Sequence, residues 1–365
     1  MEKKQKILIA IAAIIISLSA VYFGALRDKM RSKNVKQIQI DQSETSSTPA
    51  NEGNVSPISG LACENWNRRP FAVMQPSDVP ARPAAGFYDA DMVIEMPVIT
   101  ASITRLMGVY VCGNPDDLGS MRSARHDFIH LAKGLDAIFV HWGRSDIEEF
   151  KERLNNGIID NLNCNGDAGK SAAAYCYRKE GMSRGVDSGY AKFTRLVEAA
   201  KDYGYRLENK FAGYPHQAEM SADQRPKGGN LRVAFAGPFA VEYDYDTQTN
   251  SYLRIWGGNP DTDRNNGKRI APKNIVVMIA RSDQIEGQYN NVQLGDPWYD
   301  STDSGDAYFY LNGQEIRGTW KKDKARIDSK LTFHDQSGKE IAFVPGQIWV
   351  EVLEPGQTLR WTPSN

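Results

Sequence analysis

The chain has 365 residues, 41% hydrophobic and 24% charged, a composition that excludes wholesale disorder and leaves room for two packed units. Its 44 basic and 45 acidic side chains leave a net charge of -1, so no broad positive field gathers nucleic acid, and DNA or RNA binding is disfavoured.

Ile7 to Leu26 is an uncharged run rich in Ile, Ala and Leu, long enough to cross a bilayer core as one helix. Lys3, Lys4 and Lys6 precede it, while Arg27, Lys29, Arg31, Lys33 and Lys36 follow, so charge alone does not orient it. Ser17 and Ser19 fit the small-residue cleavage rule only weakly, which favours an uncleaved anchor over a signal peptide. Residues 1–36 read as this anchor and its flanks, and the polar stretch 37–60 reads as a linker.

From Leu61 to residue 227 the chain reads as a first folded domain. Phe71 to Met74, Met92 to Ile94, Ile103 to Val111 and Ala137 to Val140 are short apolar runs bounded by Pro, Gly or Asp, as strands of a covered sheet would be. Helices are predicted at Ala124 to Leu135 and Ser188 to Asp202, and a long loop at Asn155 to Gly185. The four cysteines are even in number and lack CxxC spacing, which suits an oxidising compartment; the predicted pairs are Cys63–Cys112 and Cys164–Cys176, against the competing reading of four buried thiols. Residues 228–360 switch to the strand period. Val241 to Tyr245 with Ser251 to Ile255 read as one hairpin, Ala307 to Leu311 with Gln314 to Trp320 as a second turning at Asn312-Gly313, and Lys339 to Phe343 and Gln347 to Leu353 as further strands.

Candidate chemistry concentrates between Gly119 and Ser145. Arg122, Ser123 and Arg125 precede a helix, and His141, Arg144 and Ser145 follow a strand, so a polar cluster is expected where these elements meet. Arg82 and Arg105 lie at other element boundaries, and with Arg122 and Arg125 they could grip a carboxylate or phosphate, unless Asp91, Glu95 and Asp127 consume their charge. A serine nucleophile at Ser123 or Ser145 lacks the GxSxG elbow. His126 and His130 lack the HExxH signature and read as surface histidines, so no metal is assigned. Asp261, Asp263 and Asn265 depart from a calcium loop and read as a turn. Trp298, Trp320, Trp349, Tyr308 and Tyr310 could form a sugar platform, but alternating strand aromatics read better as core.

Taken in order, Arg69 to Met74, Ala81-Arg82-Pro83, Gly86, Ala90 to Glu95, Ile103 to Arg105, Gly119 to Arg125 and Ala137 to Gly143 resemble the YerB-like family of extracytoplasmic bacterial proteins. Tyr243 to Arg254, Asp263, Asn274 to Val277, Gly318 to Trp320 and Pro345 to Trp349 are similar to that family's second region. The resemblance implies an α+β fold: an N-terminal domain like a three-layer β-β-α sandwich, with a smaller, predominantly β C-terminal region, outside the cytoplasmic membrane. It implies no established activity and no cofactor. Its members are commonly lipoproteins, whereas no cysteine closes the apolar segment here, so a single-pass helix would replace the lipid. Arg122, Ser123, Arg125 and His141 match the family pattern; His126 and His130 do not.

These observations point to a membrane-anchored envelope protein that binds an anionic group on a cell-wall component or on a partner protein of wall synthesis, with Arg82, Arg105, Arg122, Ser123, Arg125 and His141 at the site. The competing expectation is a hydrolase using His141 with Glu95 or Asp91 as acid or base, and a purely structural scaffold is third.

Overall fold

The computed structural model describes residues 53–100, 102–286, 289–298 and 302–364. The apolar run at 7–26 and most of the predicted linker lie outside the described residues, among which no helix is long and apolar enough to cross a membrane. The folded part begins ahead of Leu61: Ile58 is fully buried, and the Ser59 hydroxyl donates to Asp91 at 2.6 Å.

The apolar runs form strands because both faces of their sheet are covered, so continuous rather than alternating hydrophobicity is favoured. In Phe71–Pro76 every residue is buried; Ala72 and Met74 pack into one core, Phe71 and Val73 into the other. One sheet of eleven strands dominates the molecule, in the order Thr332–Asp335, Gln314–Lys321, Ser304–Leu311, Asn274–Ile279, Ile348–Leu353, Met92–Pro97, Thr104–Tyr110, Phe71–Pro76, Ile138–His141, Asn161–Asn163, Lys170–Ser171. Met92–Pro97 pairs parallel with Ile348–Leu353, so strands from the two ends of the described chain meet in mid-sheet. A five-stranded sheet that includes Gly228–Val233, Val241–Asp246 and Ser251–Trp256 supplies Leu231, Tyr243 and Trp256 to one of the cores.

The expected three-layer β-β-α sandwich is not formed. The described residues hold three α-helices, α1 (His126–Gly134), α2 (Glu148–Asn155) and α3 (Phe193–Asp202), none longer than ten residues. They are too few and too short to make a layer over so wide a sheet, and the architecture is mostly β. Five C-terminal strands, among them Asn274–Ile279 and Ile348–Leu353, extend the large sheet, while the five-stranded sheet is built wholly of residues from 228 onward. The helix predicted from Ser188 starts at Phe193, because Gly189–Ala191 is a strand paired with Leu118–Gly119 and Cys176–Arg178. The predicted hairpin turn at Asn312-Gly313 is present, with both residues at positive φ (52° and 73°), the backbone that this dipeptide tolerates best. Cys63 is joined to Cys112 and Cys164 to Cys176, each pair with Cα atoms 5.7 Å apart.

Candidate anion-binding cleft

Phe71–Pro76, Met92–Pro97 and Ile138–His141 run in the same direction and end together, a place where open sheets with parallel strands receive ligands. The loop before α1 is laid across these ends by its backbone: Arg122 N–H donates to Met74 (2.9 Å), Trp142 N–H to the Arg122 carbonyl (2.9 Å), and Ala124 N–H to Gly143 (3.1 Å). The result is a cleft of about 830 Å³ lined by Arg105, Arg122, Ser123, Arg125, Trp142, Arg144, Arg178 and Arg184, with Asp78 and Asp167 as its carboxylates and Val98, Ile99, Ile103 and Val186 as its apolar wall.

The arginines are held in different ways. Arg122 donates to Asp187 and to the Val186 carbonyl, with Asp78 at 3.7 Å. Arg184 also grips Asp187 (2.5 Å) and approaches Asp78 (3.3 Å), so these four side chains form one rim. Burial would raise the Asp187 pKa, but hydrogen bonds from Arg184 and Arg122 outweigh it and hold the carboxyl below its ordinary value. Arg105 donates to the Ser123 carbonyl (3.1 Å), and Arg125 to Ala124 (2.9 Å). Arg178 stacks on the Trp142 ring, 4.3 Å from its centroid.

Arg144 is the most lightly committed of these. Nη1 donates to its neighbour's carbonyl (Ser145, 2.7 Å), Asp167 is 3.9 Å from Nε, and Nε is buried without a hydrogen-bond acceptor. Trp142 Nε1 is likewise a buried donor without an acceptor. Two donors so placed in one lining are costly unless something accepts from them.

The cleft thus brings together Arg105, Arg122, Ser123 and Arg125, but not Arg82 or His141. Arg82 donates to the Ser77 carbonyl (3.1 and 2.7 Å) and lies over Trp256, 3.9 Å from the centroid, outside the cleft lining. His141 is fully buried, its Nδ1 is 2.7 Å from the Gly143 carbonyl, and burial lowers its pKa to about 4. It supports the cleft floor from behind. The expected acid–base pair is not made: Asp91 accepts from the Ser59 hydroxyl and from the Val111 and Cys112 backbone N–H groups, and Glu95 is bound by Arg254 and Thr104. The site residues beyond that first set are Trp142, Arg144, Arg178 and Arg184. Arg144 belongs to the polar cluster expected from the sequence and Trp142 adjoins His141, whereas Arg178 and Arg184 fall in the stretch 155–185, which reads as a long loop.

The remaining candidates resolve as structure. His126 and His130 are buried rather than superficial, with His126 Nδ1 3.1 Å from Arg153, and among the described residues no three His, Cys, Asp or Glu side chains are arranged to hold a metal ion. Asp261 bonds Arg254 at 2.5 Å, and Asp263 accepts from the backbone N–H groups of Gly86 (2.8 Å) and Tyr88 (2.9 Å). Trp320, Trp349 and Tyr310 are core.

Residues 58–206 match the N-terminal domain, and residues 231–350 the C-terminal domain, of a family described as a protein of unknown function, DUF3048. A Bacillus subtilis (strain 168) protein named "Putative lipoprotein YerB" is 30% identical over 305 residues, covering 82% of this chain and 86% of its own length. The crystal structure of YerB protein from Bacillus subtilis superposes with a TM-score of 0.71 at 27% identity, over 84% of this chain and 99% of that one. By both matched regions and by this relative, the chain belongs to the DUF3048, or YerB-like, family.

Proposed function

We propose that this is an envelope protein, held at the outer face of the cytoplasmic membrane by its N-terminal apolar segment, that binds an anionic group in the cleft at the strand ends. The membrane association is supported by the lipoprotein name of the relative and by the uncharged run Ile7 to Leu26. The observation that carries the binding reading is the pair Trp142 and Arg144, two lining residues that each keep a buried N–H without an acceptor. A phosphate or carboxylate oxygen is the natural acceptor for such donors, and a guanidinium offers it a directional contact. A carboxylate or phosphate of a cell-wall component, or of a protein that builds it, has the required chemistry.

The test is calorimetric titration of the full chain in nanodiscs of zwitterionic lipid with inorganic phosphate and with acetate. Arg144→Gln should weaken binding at least tenfold, and Arg144→Lys should restore little of it, because a point charge cannot replace the fork. Binding of neither anion, or equal binding by the Gln variant, would remove the reading. His141, the base expected for hydrolysis, is sealed beneath the cleft and turned to the Gly143 carbonyl, so the acid–base reading loses its main residue.

A further inference from the structure

The two most exposed large hydrophobic side chains of the described residues, Val186 (60%) and Val79 (50%), both adjoin the carboxylates of the cleft rim. Val186 precedes Asp187 and Val79 follows Asp78, and those two aspartates are tied to each other through Arg122 and Arg184. Val186 itself lines the cleft, with Ile99 and Ile103 completing an apolar wall beside Trp142 and Arg144. A simple inorganic anion would use the donors and leave that wall wet. Apolar and polar side chains line the same cleft, so one ligand can meet both.

We propose that the cleft takes an anionic amphiphile: a phosphate or carboxylate head on Arg144 and Trp142, joined to an aliphatic arm that lies along Ile99, Ile103 and Val186. This rests on the anion-binding reading and names the ligand class for the same site. The head supplies direction through hydrogen bonds, and the arm supplies affinity in proportion to the apolar area it removes from water. The cleft volume of about 830 Å³ is large enough for such a molecule.

The experiment compares inorganic phosphate, butyl phosphate and hexyl phosphate, all as monomers, with hexanol as the neutral control, on the full chain in zwitterionic nanodiscs and on empty discs. Affinity should rise along the phosphate series, with hexyl phosphate at least about tenfold tighter than inorganic phosphate after the empty-disc blank is subtracted. In Val186→Ser that ratio should shrink towards one, and in Arg144→Gln every phosphate should bind more weakly. Equal affinity for inorganic and hexyl phosphate overturns the amphiphile while leaving the anion reading standing. Failure of all three phosphates to bind removes both. Hexanol binding as tightly as hexyl phosphate, or a chain-length gain untouched by Val186→Ser, overturns the proposed arrangement.

Discussion

At the residue scale the cleft depends on a glycine that never touches a ligand. A Cβ on Gly189 would lie 2.7 Å from the Trp142 ring, so only a hydrogen there lets the indole lie flat between Gly189 and Arg178. The backbone of Gly189 also accepts from Met121 N–H at 2.8 Å, which ties this contact to the loop that carries Arg122. Gly189→Ala should displace the ring, costing about 1–3 kcal/mol in urea unfolding as an overpacked site does, and should weaken phosphate binding several-fold. Stability lost with phosphate affinity unchanged would detach Trp142 from the site. Arg122 has the opposite character: it is a strut of the rim, so removing it leaves the buried Asp187 carboxylate with Arg184 alone and acts first on the fold.

At the element scale the outstanding feature is a charge network sealed between sheets. Arg254, in Ser251–Trp256, donates to Glu95 of Met92–Pro97 (2.5 Å) and to Asp261 (2.5 Å), and its Nε lies 3.2 Å from the Tyr243 hydroxyl, which itself donates to Glu351 of Ile348–Leu353. Trp349 stacks on the guanidinium at 4.2 Å. Burial, reinforced by the negative charge of Glu95 and opposed by Arg254, pushes the Glu351 pKa up to about 8; Glu95 is raised too, by burial first. An acid with a raised folded pKa keeps its full contribution below the ordinary carboxylate value near 4.5 and loses it as pH climbs through about 8. Urea-unfolding stability should therefore fall across that window, by at most about 1.4 kcal/mol per pH unit, and Glu351→Gln should flatten the fall. An unchanged pH profile in the Gln variant would place the titration elsewhere. Little of this could be read from the chain: Glu95 and Arg254 are 159 positions apart, and residue types carry no record of which strands become neighbours. By contrast the strand runs, the Asn312-Gly313 hairpin and the meeting of the Arg122 loop with the His141 strand were legible, since each depends on local periodicity or turn chemistry. That His141 falls outside the cleft lining was not legible, because a strand end looks the same in sequence whether its last side chain turns outward or into the core; nor was the place of Arg82, which follows the short turn Val79–Ala81, because nothing local records that Trp256 lies under it.

At the scale of the whole described body, the two family regions are not separable in the way two beads on a chain are. The strand Met92–Pro97 has Thr104–Tyr110 on one side and Ile348–Leu353 on the other, so cutting the chain after residue 227 exposes a long unpaired edge in mid-sheet. The same cut removes Arg254, leaving the Glu95 carboxylate, which is fully buried in the intact protein, with the Thr104 hydroxyl as its remaining side-chain partner. It also strips Asp263 from the backbone donors of Gly86 and Tyr88. Shared hydrogen bonds, shared core and shared charge all fail together, which is the condition for one cooperative unit. The intact protein should unfold in urea as a single transition seen alike by tryptophan fluorescence and far-UV circular dichroism, and Arg254→Ala should lower its stability by about 3–5 kcal/mol without splitting that transition. Residues 53–227 expressed alone should give poorly dispersed amide resonances and rapid exchange in the Met92–Pro97 strand. Two resolved transitions in the whole chain, or a well-dispersed spectrum from the fragment, would show that the first region holds its sheet without the second.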